Sequence, residues 1–218
     1  MRVGEALRAA TTKRSVEIGL GLLPDHFHRD DSSDGGHGHG FWLAGDEDDD
    51  GLIDHAWCFA ARGIPRQAIT AMSSIEWLRV EGRRSMVTPE WMGPLIAGGA
   101  FGPARIWRST TPYVTPLHRL SKTGKERDGF IPPVQLAREI EARNLPTPTS
   151  IRLEGHAYIG EALLPASAFV VTRSKGAPPP SDAVAAFASV EFPTEVIGPL
   201  AFGYGAHFGL GQLLPSLD

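Results

Sequence analysis

Residues 198–215 read GPLAFGYGAHFGLGQLLP. Glycines at 198, 203, 205, 209 and 211 interrupt an otherwise apolar run. That is too often for a regular strand, because glycine weakens strands and admits positive φ. Two readings are open. One is a bulged terminal strand at a tight packing contact. The other is a loop that brings backbone N–H groups close to a ligand, phosphate oxygens above all. Tyr204, His207 and Phe208 add rings able to stack on unpaired bases.

Working outward, the rest of the chain alternates strand and helix signals. Residues 1–20 read as a short amphipathic helix and 25–36 as a polar loop. HGHGFWL (37–43) and LIDHAWCFA (52–60) flank an acidic turn and read as a β-hairpin. Apolar spacing from Ile64 to Val80, with Pro65 in the first turn, predicts a helix. Gly93–Gly102 reads as a bend between halves. Residues 103–114 predict a strand ending in a proline-punctuated loop, 121–129 a charged mobile loop, and 132–143 a second helix. Strands are expected at 150–156, 166–173 and 186–192, with a loop at 174–184 between the last two. This order predicts an α+β fold with antiparallel sheets, built as two ferredoxin-like (RRM-like) βαββαβ units in tandem. The expected boundaries are 1–24 for an N-terminal helix and linker, 25–98 for the first half and 99–218 for the second.

The net charge of −4 argues against nucleic acid until its distribution is considered. Of 21 bases and 25 acids, ten acids and one base fall in 25–54, which leaves 20 bases and 15 acids elsewhere. Between 102 and 138 stand Arg105, Arg108, Arg119, Lys122, Lys125, Arg127 and Arg138 against Glu126 and Asp128. Local clusters set the attraction for phosphate. No apolar run is long enough to span a membrane, and residues 1–20 lack the apolar core of a secretory signal. The single cysteine, Cys58, excludes a disulfide framework and suits a reducing cytoplasm.

Histidine titrates near neutrality and suits proton transfer. His37 and His39 alternate on one predicted strand and share a face. His118 lies in the basic stretch beside Arg119 and Lys122, and His207 lies inside the glycine segment. His55 follows the acidic turn, where pairing with a nearby aspartate is the simpler reading. Asp46, Asp48, Asp50 and Gly51 match the start of an EF-hand loop, but Trp57 stands where the bidentate glutamate belongs. No resident cofactor or metal is expected beyond a weak Ca²⁺ site at Asp46, Asp48 and Asp50. His37-x-His39 with His207 also suits a cupin-type metal enzyme, although Leu43 and Ala44 occupy the positions where that pattern wants an acid.

GPLAFGYGAHFGLG, together with GHGHGFWL (36–43), DEDDDGLIDHAWCFAARG (46–63) and WRSTTPYVTPLH (107–118), occurs in the order found in CRISPR-associated RAMP proteins. The set most closely resembles the processing half of the type I-U (I-G) fusion protein. The resemblance implies a repeat-RNA endoribonuclease that works without metal in the cytoplasm, with other subunits of a type I effector complex as partners. It implies 2′,3′-cyclic phosphate and 5′-OH products, with His37, His39 and His118 as catalytic candidates. RNA contacts are expected from Arg105, Arg108, Arg119, Lys122, Lys125, Gly203, Tyr204, Gly205, His207, Phe208, Gly209 and Gly211. The alternative is a subunit that holds RNA without cutting it.

Overall fold

The computed structural model describes residues 2–28, 39–48, 50–94, 101–170 and 177–216. The chain divides into two compact units, 1–47 with 52–95, and 48–51 with 96–218. The architecture is α+β with antiparallel sheets, as the alternation of signals predicts.

The first unit opens with α1 (Arg2–Glu17) and the single turn α2 (Asp25–His28). A hairpin of β1 (Phe41–Gly45) and β2 (His55–Phe59) follows, in register from Phe41↔Phe59 to Gly45↔His55. This is the hairpin expected around the acidic turn. Next come α3 (Arg66–Ser73), β3 (Trp77–Val80) and β4 (Arg83–Met86). The helix expected over 64–80 is therefore cut short. Ser74 N–H bonds back to the carbonyls of Ala71 and Met72, which ends the helix. Glu81 and Gly82, with φ of 48° and 84°, then form a two-residue turn that pairs Val80 with Arg83. Positive φ at both central residues is the turn that matches strand twist, so a hairpin wins over helix spacing. α1 packs against α3, β1 and β3. Ser15 Oγ donates to Gly21 O at 2.7 Å, and Gln67 Nε2 donates to Leu20 O and Leu22 O, tying down the chain after α1.

The second unit runs β5 (Ala104–Ser109), β6 (Tyr113–Val114), α4 (Pro132–Ala142), β7 (Ser150–Glu154), β8 (His156–Ile159), β9 (Ala162–Pro165), β10 (Ala185–Val196), β11 (Leu200–Ala201) and β12 (Gln212–Ser216). β8 and β9 form a separate hairpin, and residues 166–169 form a 3₁₀ turn where a strand was expected over 166–173; residues 171–173 lie outside the described set. The loop at 121–129 is closed by the Leu120↔Glu126 bridge and a Ser121 N–H bond to Lys125 O at 2.8 Å. The main sheet runs β11–β12–β5–β10, with β7 on the far side of β10. Numbered by the four long strands β5, β7, β10 and β12, the order is 4-1-3-2 with every neighbour antiparallel. That order is compatible with a ferredoxin-like βαββαβ arrangement. α4 makes the first crossover. The second, from Val196 to Gln212, carries β11 and a 3₁₀ turn (Ala206–Phe208) in place of a helix. The glycine segment thus stands where the second helix would be.

One face of this sheet carries Trp107, Ala188, Val190, Phe192 and Leu213, with Ile151 and Leu153, against Leu136 and Ile140 of α4. Trp107, Leu136, Ile140, Val190 and Phe192 are fully buried. Along the opposite face the register sets Leu214, Arg108, Ser189 and Arg152 in one row across four strands. In the first unit the described residues form two separate two-stranded sheets, so the four-stranded order belongs to the second unit.

Candidate nucleic-acid interface

The loop after β6 is pinned before it reaches His118. Thr115 is buried, and it exchanges hydrogen bonds with Val184: its N–H donates to Val184 O at 3.0 Å and its Oγ1 accepts from Val184 N–H at 2.9 Å. Gln135 of α4, also buried, accepts Leu117 N–H at 3.1 Å and donates to Leu117 O at 3.1 Å. These clamps bring the residues just before β10 beside the loop. Asp182 Oδ1 lies 2.7 Å from His118 Nδ1, and Asp182 Oδ2 accepts Leu120 N–H at 2.6 Å. The Leu120 amide and then the imidazole hold the Asp182 carboxyl below its usual range.

A carboxylate at Nδ1 fixes the ring. It accepts the Nδ1 proton, so the neutral imidazole carries its lone pair on Nε2. The His118 side chain is 62% exposed while that of Asp182 is 12% exposed. The pair therefore has the form of an accessible base held by a shielded carboxylate. Around it, Arg119 pairs with Glu126 at 2.8 Å, and Arg127 donates to His118 O and lies over the Phe130 ring. Lys122 and Lys125 are exposed on the turn and have no ion-pair partner among the described residues.

The glycine segment is packed inward. Gly203 has φ of 87°, and a Cβ there would run into Val114 O and the Tyr113 ring; at Gly211, with φ of 60°, it would run into Phe202 O. The segment's amides are largely engaged. Gly203 N–H donates to Glu139 Oε2 at 2.8 Å, Tyr204 N–H to Val114 O at 2.8 Å and Gly211 N–H to Pro112 O at 2.9 Å. Those of Ala206, Phe208, Gly209 and Leu210 close the turn itself. Thr111 Oγ1 donates to Gly209 O at 2.7 Å and accepts Gln212 N–H at 3.0 Å. In this arrangement those donors are not open to a phosphate, and Phe208 is buried and cannot stack on a base. Gly205, Tyr204 and His207 are half-buried, and Tyr204 Oη donates to Ala177 O. The tight-packing reading of the segment accounts for most of it.

Glu139 is the hinge of that packing. Tyr113 Oη donates to its Oε1 at 3.0 Å while Gly203 N–H takes Oε2. Burial raises the Glu139 carboxyl above its ordinary range, against the pull of Gly203 N–H, Arg143 and Tyr113. Burial also brings the Arg143 guanidinium down to about 10, and it lies 4.3 Å from the centre of the Phe202 ring.

The other candidates scatter. Arg105 is exposed on β5, with Nε 3.3 Å from Phe192 O; Arg108 is exposed on the open sheet face. His37 lies outside the described residues. His39, in the first unit, is buried and stacks on Phe41 with ring centres 6.2 Å apart. His55 pairs with Asp54 at 2.9 Å, as the acidic turn suggested, and with Glu90 at 2.8 Å. Asp46, Asp48 and Asp50 set carboxylate oxygens within 4.8 Å of one another and could hold a metal; the strand β2 follows them, not an EF-hand helix. Among the described residues this is the one group with metal-ligand spacing.

Sequence reading missed Asp182, Gln135 and Glu139. Asp182 sits in a proline-rich loop, and nothing local ties it to a histidine 64 residues earlier. Among the described residues no helix is long and apolar enough to cross a membrane. No family model, curated protein or solved structure matches the chain.

Proposed function

We propose that the chain is an RNA-binding endoribonuclease that works without a metal, with CRISPR repeat RNA as its substrate on the strength of the RAMP-like motifs. What carries the reading is the His118–Asp182 pair, 2.7 Å apart, on a loop bearing Lys122 and Lys125. His118 Nε2 takes the proton of a ribose 2′-OH. The 2′ oxygen attacks the adjacent phosphorus in line, the P–O5′ bond breaks, and a protonated second group returns a proton to the 5′ oxygen. The products are a 2′,3′-cyclic phosphate and a 5′-OH. The lysines offset the charge that develops on the phosphate. His39 remains the described alternative for proton transfer. Assembly with other subunits of a type I effector complex and a cytoplasmic setting belong to the same proposal, as does weak Ca²⁺ binding at Asp46, Asp48 and Asp50.

The test is cleavage of a hairpin repeat RNA in EDTA. His118→Ala should lower the single-turnover rate by about 10²–10⁴-fold with binding retained, and a 2′-deoxy nucleotide at the scissile position should block it. A requirement for divalent metal, or cleavage of the 2′-deoxy substrate, overturns the mechanism. A second reading, RNA binding without cleavage, is favoured by the inward-turned amides of the glycine segment, which leave few backbone donors for a transition-state oxyanion. Wild-type protein that binds the hairpin and never cuts it would establish that reading instead.

A further inference from the structure

In the first unit, α1 and the β3–β4 hairpin line an open groove of about 740 Å³. Ala6, Ala9 and Ala10 recur on one side of α1 and give its wall little bulk, with Lys13 and Arg14 one turn further along. The facing wall is the hairpin. Trp77 pairs with Met86 and Arg79 with Arg84, so these four side chains share one strand face. Trp77 is 42% exposed and Met86 71%, so both side chains reach solvent on this face. The Arg84 guanidinium lies 4.1 Å from the centre of the Trp77 ring.

The charge of this groove is unbalanced. Its lining carries four cations, Lys13, Arg14, Arg79 and Arg84, against two acids, Glu17 and Glu76, and Glu17 is engaged by Lys13 at 3.5 Å and Arg14 at 3.7 Å. Among the described residues neither Arg79 nor Arg84 has a carboxylate within ion-pair distance. A structural role for arginine normally brings a carboxylate or carbonyl partner, and among the described residues Arg79 and Arg84 have neither. An aromatic ring interleaved with unpaired arginines in a concave site instead matches the needs of unpaired nucleic acid. The ring and guanidinium plane stack on a base, and the cations meet the flanking phosphates. The volume lies within the roughly 300–1,000 Å³ usual for pockets that hold a small organic group.

We propose that this groove binds single-stranded RNA, with one unpaired base on the Trp77–Arg84 stack and an adjoining phosphate on Arg79. The inference rests on the RNA-binding reading above and adds a contact that no catalytic candidate supplies. The groove reads no sequence: every base has a face to stack, so its preference is for single strands over duplex.

The probe is a fluorescein-labelled oligouridylate titrated into the full chain, with melting temperature checked for each variant. Trp77→Ala should weaken binding about tenfold. Arg79→Gln should lower the slope of log affinity against log salt by about 0.7, the loss of one single-strand phosphate contact. Should Trp77→Ala fail to fold, a 4-thiouridine oligonucleotide cross-linked to wild-type protein locates the contact directly, and the adduct should fall within residues 77–86. If wild-type protein binds the oligonucleotide while both variants bind equally well, or the adducts fall elsewhere, the groove is not the site although RNA binding stands. If wild-type protein binds no RNA at all, both readings fall. A polyglutamate peptide that binds, is weakened by Arg79→Gln and is indifferent to Trp77→Ala would overturn the proposal in favour of an acidic protein partner.

Discussion

His118 Nδ1 and Asp182 Oδ1 stand 2.7 Å apart with 64 residues of chain between them. The carboxylate does two things at once: it accepts the ring proton, and through its other oxygen it holds the Leu120 amide. Asp182→Asn separates these roles. An amide oxygen can still accept Leu120 N–H, but the amide NH₂ would then face Nδ1 and turn the ring to the tautomer with its proton on Nε2. The expected outcome is a fall of about 10²–10⁴-fold in single-turnover cleavage, with RNA affinity changed little. Equal rates for wild type and Asp182→Asn would remove the pair from the mechanism.

How far the sequence discloses this arrangement varies by segment. The β1–β2 hairpin is legible because the acidic turn separates two short apolar runs. α4 is legible because prolines open it and its apolar residues keep helical spacing. The β3–β4 hairpin is hidden, since Ile75 and Leu78 also fit a helical stripe and only the positive φ at Glu81 and Gly82 decides between the two. The site is less legible than the fold. His118 and the lysines can be picked out by residue type, but Asp182 and Gln135 act through tertiary contacts that no local pattern encodes. The glycine segment shows the same limit from the other side. Its composition suits a phosphate loop and a packed bend equally, and only the partners of its amides distinguish them.

Gly203 and Gly211 give a stability test of that packing. Alanine at positive φ costs about 1–2 kcal/mol from backbone sterics alone. At Gly203 and Gly211 the added methyl would also meet a carbonyl oxygen, whereas at Gly160, with φ of 55°, it would meet nothing within 4 Å. Gly203→Ala and Gly211→Ala should therefore each lose more than about 2 kcal/mol in urea unfolding, and Gly160→Ala about 1 kcal/mol. Three equal losses would mean that the segment does not close against Val114 and Phe202.

Glu139 of α4 joins β6 and the glycine segment through its two carboxyl oxygens. Burial raises its pKa above the ordinary glutamate value of 4.5. The folded state then keeps a proton that the unfolded chain has already released, so the unfolded state binds fewer protons and stability falls as pH rises. The loss begins near pH 4.5 and is complete above the folded-state value. Glu139→Gln removes this titration while leaving an oxygen for Gly203 N–H or Tyr113 Oη. Its unfolding free energy, measured by urea titration from pH 4 to pH 8, should decline less with pH than that of wild type, so that the variant gains on wild type as pH rises. The Arg143 guanidinium works against this trend, because it favours the ionised carboxylate. Arg143→Met should accordingly steepen the wild-type decline. If Glu139→Gln leaves the pH dependence unchanged, the carboxyl titrates alike in the folded and unfolded chain, and the pull of Gly203 N–H, Arg143 and Tyr113 cancels the effect of burial.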